Sequence, residues 1–421
     1  MGLERVFEAP WKLRDLRDGP LGLILDGFCD WLLERGFTSC VVRKHLGQVL
    51  HLNRWLAECG WQWTGRLSRK EVEGFLDAYP YRCRNRGALD EHLKRSRHSI
   101  SRFVEFLSQR DLFDSQSPTP VYQPLLDGYL AWMRDHQHAA DGTLERRGHS
   151  VKQLLESLGA EASIKGLVQL SAERIESFFI TYAGVMGHAS RRAMQAALRT
   201  FLRFCFYEGY IGYGLDHAVP TLRTYKLAQV PRGLSEEQAH AVLQSVDRYT
   251  DVGRRDYAIL TLLHTYGVRN GQIRALQVQD IRWQRDQIFF RAIKGGKDSL
   301  LPLTAEVGES LLDYLQNARP PSAFSEVFLT SRAPHHPLPK SSSLSEIIRR
   351  HVGAAGLELP SKGAHIFRHA FATRMVAEGN PLKAVADVLG HRYLSTTFIY
   401  TKVNFNALKQ VALEWPGEVN S

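Results

Sequence analysis

Residues 365–400, HIFRHAFATRMVAEGNPLKAVADVLGHRYLSTTFIY, form the stretch around which the rest of the chain is organised. An arginine and several histidines, among them Arg368 and His391, lead up to a single tyrosine at its end, Tyr400. A free tyrosine has a pKa near ~10, so a tyrosine nucleophile needs a nearby base and fixed positive charge. Because arginine offers a planar fork of donors to phosphoryl oxygens, this set indicates attack on a phosphodiester.

The composition fits an intracellular protein with a polyanionic partner. The chain has 421 residues, which suggests two to four domains, and its hydrophobic content of 44% excludes a disordered chain. The net charge of +10 favours nucleic acid as the partner. Five cysteines without a CxxC pair suggest reduced thiols. The chain shows neither a signal peptide nor an apolar run of ~18 residues, so we expect no membrane contact and a cytoplasmic location.

The first half of the chain contains an internal repeat. Three blocks recur in the same order at offsets of 98 to 103 residues: 26–32 with 127–133, 67–75 with 170–178, and 101–106 with 199–204. Such a pattern indicates a duplicated module, and apolar spacing of three to four residues predicts about four helices in each copy. Ser68 and Ser171 are predicted N-caps of the third helix.

The predicted fourth helix of each copy is basic on one side. Its cations are Lys94, Arg95, Arg97 and Arg102 in the first copy and Arg191, Arg192, Arg199 and Arg203 in the second. A basic run is most often only a solvated helix face. Because the same basic helix occurs twice in a basic protein, contact with DNA is an equally favoured interpretation of these cations.

The remainder, residues 233–421, reads as a mixed helical and β domain. A capping box at Ser235 opens it, and an apolar helix from Asp256 ends at a predicted C-cap, Gly267. Two predicted strands, 287–291 and 300–303, flank a glycine-rich turn that carries Lys294 and Lys297. The rest is predicted helical over 343–355, 363–378, 381–389, 395–402 and 406–415. The fold class is therefore mainly α with a small antiparallel sheet: helical domains at 1–113 and 121–222, then an α+β domain at 233–421.

The third domain resembles the tyrosine recombinases, which include phage integrases and Xer-type recombinases. Tyr266-Gly267-Val268-Arg269 is similar to the family's first arginine box, His365-Ile366-Phe367-Arg368-His369 to the H-x-x-R-H box, and Leu389-Gly390-His391 to the L-G-H box. Tyr400 follows His391 by nine residues, where the family keeps its nucleophile. Residues 121–222 more loosely resemble the family's core-binding domain, and 1–113 look like an additional copy. Gln272 departs from the pattern, because the family usually has an acidic residue there.

The resemblance implies a mechanism. Tyr400 would attack a phosphate of double-stranded DNA, giving a 3′-phosphotyrosine and a free 5′-hydroxyl. The residues that would support this reaction are Arg269 and Arg368 for the phosphorane charge, Lys294 as general acid, His365 for proton transfer from Tyr400, and His391 as a donor to the phosphate. Neither a metal nor another cofactor is implied. The partners would be DNA and further recombinase subunits, its own copies or related ones, forming a tetramer in synapsis.

Several alternatives stay open. A type IB topoisomerase would use similar chemistry without synapsis, and an inactive DNA-binding protein could keep the fold. His365 and His369 have the i, i+4 spacing of zinc ligands, although Ile366 stands where a zinc protease has its glutamate. Lys297 is interpreted as a second phosphate contact. Transposition of a mobile element, phage integration and dimer resolution are all compatible with the sequence.

Overall fold

A computed structural model describes residues 2–82, 89–115, 119–222, 233–293, 296–339, 341–359, 363–391, 393–397 and 400. Two of the sequence predictions, the general acid Lys294 and the helix at 406–415, lie outside these residues. By proximity of Cα atoms the chain divides into two compact units: Met1–Gln62 with Lys94–Phe106 and Leu227–Ser421, and Trp63–Leu93 with Leu107–Lys226. The units thus divide residues 1–113 between them, and the three predicted domain boundaries stay a prediction.

Helices dominate the N-terminal region. They are α1 (Pro10–Arg17), α2 (Gly22–Glu34), α3 (Ser39–Glu58), α4 (Arg69–Arg82) and α5 (Leu89–Ser108), with two short parallel strands, β1 (Leu67–Ser68) and β2 (Phe113–Asp114). Phe28 on α2 packs against Phe103 and Phe106 on α5, with ring centroids 5.0 and 5.3 Å apart. The predicted four-helix copy corresponds to α2–α5, and α1 precedes it.

The second copy consists of four helices: α6 (Gln123–Asp135), α7 (Asp141–Leu158), α8 (Ala172–Gly184) and α9 (His188–Tyr207). Its core is apolar, and Tyr129 meets Phe201 edge-on at 5.4 Å. The predicted N-cap at Ser171 is confirmed, since its hydroxyl accepts the backbone N–H of Arg174 at 3.3 Å. In the first copy, the carboxylate of Glu71 accepts the backbone N–H of Ser68 at 3.0 Å, the reciprocal half of a capping box.

The C-terminal region packs helices around a small antiparallel sheet. The helices are α10 (Glu236–Gln244), α11 (Asp251–Tyr266), α12 (Asn270–Ala275), α13 (Ala305–Asn317), α14 (Ser341–Ala354), α15 (His365–Ala377) and α16 (Leu382–Val388). The strands β3 (Ile281–Arg282), β4 (Gln287–Phe290) and β5 (Ser299–Pro302) lie in that order, and β4 pairs with β5 from Gln287–Pro302 to Phe290–Ser299. The predicted fold class and the predicted β4–β5 hairpin are confirmed.

Helix α11 forms the centre of this region. It is buried along most of its length and packs against both α13 and α15. The capping box at Ser235 is confirmed, with Gln238 as its third residue. Gly267 ends α11 in the left-handed conformation, at φ 59°, which confirms the predicted C-cap. A Cβ at this position would lie 2.7 Å from the ring of Phe371, so glycine is required on two counts.

The segment between His391 and Tyr400 differs from its prediction. In place of the predicted helix over 395–402 the described part has a short 3-10 helix, Leu394–Thr396. Thr396 and Thr397 are β-branched, which disfavours an extended α-helix, and the hydroxyl of Thr397 is bonded to His391. Among the helices that the structure describes, none has the length and apolar character needed to cross a bilayer.

Candidate active site

The turn that follows α11 positions Arg269. After Gly267 reverses the chain, Arg269 stands in extended conformation at the start of α12. Its guanidinium Nη1 donates to the carbonyl oxygens of Leu389 and Gly390, each at 3.2 Å. Gly390 is itself left-handed, at φ 61°, and a Cβ there would lie 3.1 Å from the carbonyl oxygen of Lys297. The first arginine box, the β4–β5 loop and the L-G-H box therefore meet at one turn.

Arg368 reaches the same turn from α15. It is only 4% exposed, and its guanidinium donates to the carbonyl oxygens of Gly267 at 2.8 Å and Leu389 at 2.7 Å. Arg269 and Arg368 thus share the carbonyl oxygen of Leu389 as an acceptor. Burial, followed by the positive charge of Arg269, lowers the pKa of Arg368 to about 10, so this guanidinium group stays charged at neutral pH.

Two neighbouring cations, the buried Arg368 and the half-buried Arg269, form a site for an anion. Burial also lowers the pKa of Arg269, since the charged form loses hydration there. Within the described residues, the hydrogen-bond acceptors of both guanidinium groups are backbone carbonyls, which carry no negative charge to balance the two cations. A phosphate that enters would supply that charge and accept the remaining N–H donors.

The side chain of Gln272 holds the backbone of Arg269 in place by a hydrogen bond. This side chain is buried, and its amide oxygen accepts the backbone N–H of Arg269 at 2.9 Å. Its amide nitrogen donates to the carbonyl oxygen of Arg291 at 3.3 Å, just past the end of β4. An ionised carboxylate could make the first bond and not the second, because it has no donor. The departure from the family's acidic residue therefore joins the arginine turn to the base of the β4–β5 hairpin.

His391 lies beneath the shared turn as a neutral imidazole. Burial, then the charges of Arg368 and Arg269, lowers its pKa to about 4. Its Nδ1 lies 2.8 Å from the hydroxyl of Thr397, which is fully buried. If that hydroxyl donates to Nδ1, the ring proton is on Nε2, which makes His391 a hydrogen-bond donor there.

Tyr400 belongs to the same cluster. It is only 2% exposed and packs with Phe371 and Leu389. Burial raises the pKa of its phenol, while the charges of Arg368 and Arg269 lower it, so the two arginines lie within electrostatic reach. The phenolic oxygen lies 3.0 Å from Nδ1 of His369. His365, the histidine that the sequence favoured, is exposed one turn earlier on α15, with its ring centroid 6.2 Å from that of His369.

The predicted DNA-binding cations fall into two groups. Lys94, Arg95, Arg97, Arg192 and Lys297 are exposed. Three others on α9 donate to their own fold: Arg191 to the carbonyl oxygens of Met186 and Gly184, Arg199 to that of Val219 and to the Thr221 hydroxyl, and Arg203 to the carboxylate of Asp216 at 2.8 Å.

One group of side chains in the described part of the chain has the spacing of a metal site. Ligand atoms of Glu236, His240 and His264 lie within 4.8 Å of one another. The guanidinium of Arg374 donates to Glu236 at 3.0 Å and stands 3.4 Å from Nε2 of His264. The guanidinium group supplies the positive charge that a metal ion would otherwise bring. The group is therefore explained as an ion-pair cluster that joins α15 to α10 and α11.

Comparison with known proteins identifies the family. The model of the Phage integrase family matches residues 232–407. A putative integrase/recombinase of Sinorhizobium fredii, y4rA, is 31% identical over 413 residues, which cover 97% of this chain and 98% of the relative. A tyrosine recombinase XerA of Thermococcus onnurineus is 27% identical over 277 residues, 66% of this chain and 90% of the relative. The chain belongs to the tyrosine recombinase family. It is a site-specific DNA recombinase, an enzyme that breaks and rejoins DNA strands.

Solved structures share the fold of this recombinase. XerH bound to its palindromic difH substrate, in a post-cleavage complex, has a TM-score of 0.52 at 18% identity and covers 71% of this chain and 98% of its own. A lambda integrase dimer bound to a COC′ core site has a TM-score of 0.52 at 18% identity, with coverage of 70% and 99%.

Three contacts in the recombinase site escaped the sequence analysis. They are the contact of His369 with Tyr400, the hydrogen bond between Thr397 and His391, and the two hydrogen bonds of the Gln272 side chain. For His369 a signal existed, because it lies one turn from His365 on the same predicted helix. For Thr397 and Gln272 the sequence offered only polar residues near the motifs.

Proposed function

We propose that Tyr400 of this recombinase is the nucleophile that attacks a DNA phosphodiester. The Tyr400 oxygen forms a bond to phosphorus, the bond from phosphorus to the 5′-oxygen breaks, and a 3′-phosphotyrosine and a free 5′-hydroxyl result. Rejoining reverses these steps with the 5′-hydroxyl of a partner strand. Because the phosphoester bond energy is conserved in the protein–DNA ester, the cycle needs no ATP.

The convergence of Arg269 and Arg368 carries this proposal. Both guanidinium groups contact the carbonyl oxygen of Leu389, and their combined charge acts on Tyr400. Preorganised donors of this kind stabilise the charge that develops on phosphoryl oxygens and need no rearrangement during the reaction. His391, when protonated on Nε2, adds a neutral donor to the same anion. These contacts support a position of Tyr400 next to a phosphate that would balance the charges of Arg269 and Arg368.

Protonation of the leaving 5′-oxygen is the role we assign to Lys294. An alkoxide is a poor leaving group, and a general acid contributes typically ~10²–10⁴-fold. The described ends of the β4–β5 loop support the assignment, because a Cβ at Gly296 would lie 3.2 Å from Nη1 of Arg269. Lys297, exposed at the far end of the loop, is proposed as a phosphate contact.

We further propose that the recombinase acts on double-stranded DNA in the cytoplasm as a homo-oligomer or with related subunits, and serves a mobile element. Lambda integrase has been solved as a tetramer bound to a Holliday junction, with a TM-score of 0.51 to this chain. The relatives y4rA and y4rF are putative integrase/recombinases that match this chain over nearly its full length. Exposed cations on α5 and α9 supply charge for DNA.

Replacement of Tyr400 tests the proposed chemistry. The substrate is a nicked duplex that carries the site which the full-length protein selects from a random-sequence DNA library. The wild type should form a covalent adduct, and mass spectrometry of the digested adduct should find DNA on the peptide that contains Tyr400. Tyr400→Phe should bind the duplex with unchanged affinity and form no adduct. An adduct on another residue would overturn the assignment of the nucleophile.

A further inference from the structure

The proposed function leaves open how the phenolic proton of Tyr400 is removed. The contact between Tyr400 and His369 bears on this step. We propose that His369, rather than His365, is the catalytic residue that accepts this proton. The inference rests on the proposed role of Tyr400 as nucleophile. It gives distinct tasks to two histidines that lie one turn apart on α15.

Geometry is the first support. Nδ1 of His369 lies 3.0 Å from the phenolic oxygen of Tyr400, within the reach required of a general base. The ring centroids are 5.6 Å apart with the planes inclined by 54°, so this contact is made at the ring edge, where Nδ1 is available, and not by stacking. His369 is fixed on a helix that packs against α11, and Tyr400 is buried.

The charge state of His369 also suits a base, which must be neutral before it accepts a proton. Burial, then the neighbouring His365 and Arg368, lowers the pKa of His369 below its ordinary value. Among the described residues, the charged and titratable groups that act on the pair are His365 and Arg368 on α15, Arg269 at the start of α12, and Tyr400 itself. At neutral pH the ring is unprotonated, and in the tautomer with its proton on Nε2 the Nδ1 atom accepts from the phenol.

The proton balance closes within the site. As the bond from Tyr400 to phosphorus forms, the phenolic proton moves to Nδ1, and the 5′-oxygen takes a proton from the general acid. The resulting imidazolium lies near Arg368, an unfavourable position for a cation in the DNA-free protein. The phosphate that is being attacked brings the negative charge that stabilises it. On rejoining, the proton returns from Nδ1 to the departing phenolic oxygen.

His365 provides the matched control for this assignment. It is on the same helix and carries the same ring, but it is exposed, and its ring centroid lies 6.2 Å from that of His369. An exposed histidine near the site suits a hydrogen bond to the DNA phosphate better than contact with a buried phenol. Loss of His365 should therefore weaken the reaction without changing which group takes up the proton.

The test compares His369→Asn with His365→Asn. Asparagine can hold the phenol by a hydrogen bond and cannot take up its proton. Adduct formation on the nicked duplex is measured between pH 6 and 9 at saturating DNA. We expect His369→Asn to be about 10²–10⁴-fold slower at pH 7 and to gain nearly tenfold in rate per pH unit, because the phenol must ionise unaided. His365→Asn should keep the nearly flat profile of the wild type. Added imidazole should accelerate His369→Ala and not His365→Ala.

Two results would overturn the inference. One is a wild-type rate and a flat profile for His369→Asn. The other is a tenfold gain per pH unit, or rescue by imidazole, in the His365 variants alone. If His369→Asn does not fold, as judged by circular dichroism and DNA binding, His369→Gln serves the same test. Absence of any adduct on Tyr400 in the wild type would instead refute the proposed function, so the two failures are distinguishable.

Discussion

The active site and helix α9 both concentrate arginines, and they use them differently. In both places guanidinium groups donate to backbone carbonyls: Arg368 to those of Gly267 and Leu389, Arg191 to those of Met186 and Gly184. On α9 the arginines bind separate acceptors, and Arg203 faces the carboxylate of Asp216. In the candidate active site two arginines share one carbonyl oxygen, and within the described part of the chain no carboxylate is among their hydrogen-bond partners.

We expect this difference to separate a structural arginine from a phosphate-binding one. A hydrogen bond to a carbonyl is common to both, so a contact of that kind does not identify the role. Uncompensated charge does identify it, since the neighbouring Arg269 lowers the pKa of the buried Arg368, and an anion would stabilise both cations. The following three predictions test this distinction, from the largest expected effect to the smallest.

Lys294 should be the third cation of the active site, and its loss should have the largest effect. We expect Lys294→Ala to slow cleavage roughly 10²–10⁴-fold, as is typical of a lost general acid. A substrate with sulfur at the 5′-bridging position should remove nearly all of this defect, because a thiolate leaves without a proton. Lys297→Ala is the matched control, with a smaller loss and no such rescue. Rescue of Lys297→Ala alone would exchange the two roles.

Sulfate binding should distinguish the two sets of arginines without any DNA. Sulfate mimics a phosphate between Arg269 and Arg368, and binding to the folded state should stabilise the wild type by roughly 1–3 kcal/mol at about 10- to 100-fold above its dissociation constant. Thermal unfolding with sulfate, compared with chloride at equal ionic strength, measures this shift. Arg269→Gln should lose it, and Arg203→Gln should retain it. Equal shifts in all three proteins would show that the active-site pair binds no anion.

On α9 the exposed Arg192 should contact DNA, and Arg203 should stabilise the fold. Removing one phosphate contact reduces the slope of log affinity against log salt by about 0.9, which is the change we expect for Arg192→Ala. Arg203→Ala should leave the slope unchanged and destabilise the protein by about 0.5–1 kcal/mol, a small value because this side chain is 59% exposed. The opposite pattern would reverse the two assignments.

The sequence motifs predicted the residues of the site better than their contacts. Arg269, Arg368, His391 and Tyr400 could be selected from ordered boxes, and the structure brings these four residues together. The spacing of His365 and His369 fits one helix face almost equally well for either histidine. The choice between them depends on the path of the chain from His391 to Tyr400, and the helix predicted there is wrong over its described part. Distant contacts of this kind leave no local periodicity.

Charge alone was the weakest predictor. The basic side of α9 was correctly assigned to one helix, yet Arg191, Arg199 and Arg203 bind groups in neighbouring loops. Those acceptors are backbone carbonyls, the hydroxyl of Thr221 and the carboxylate of Asp216, which lie 5 to 22 residues away along the chain. Neither the composition of the chain nor the spacing of its residues predicts these acceptors. Gln272 is the converse case, in which a departure from the family pattern proves to be a two-sided hydrogen-bonding group.

The shared carbonyl of Leu389 also bears on the stage of synthesis at which the enzyme can become active. Arg269 must reach a residue 120 positions further along the chain, and Arg368 must reach back 101 positions and forward 21. During synthesis, Arg269 is therefore added to the chain long before the turn around Leu389 that holds it has been made. A nascent, truncated or partly unfolded chain has the cations without their arrangement. We therefore expect strand cleavage only after the last motif has been made and folded into place.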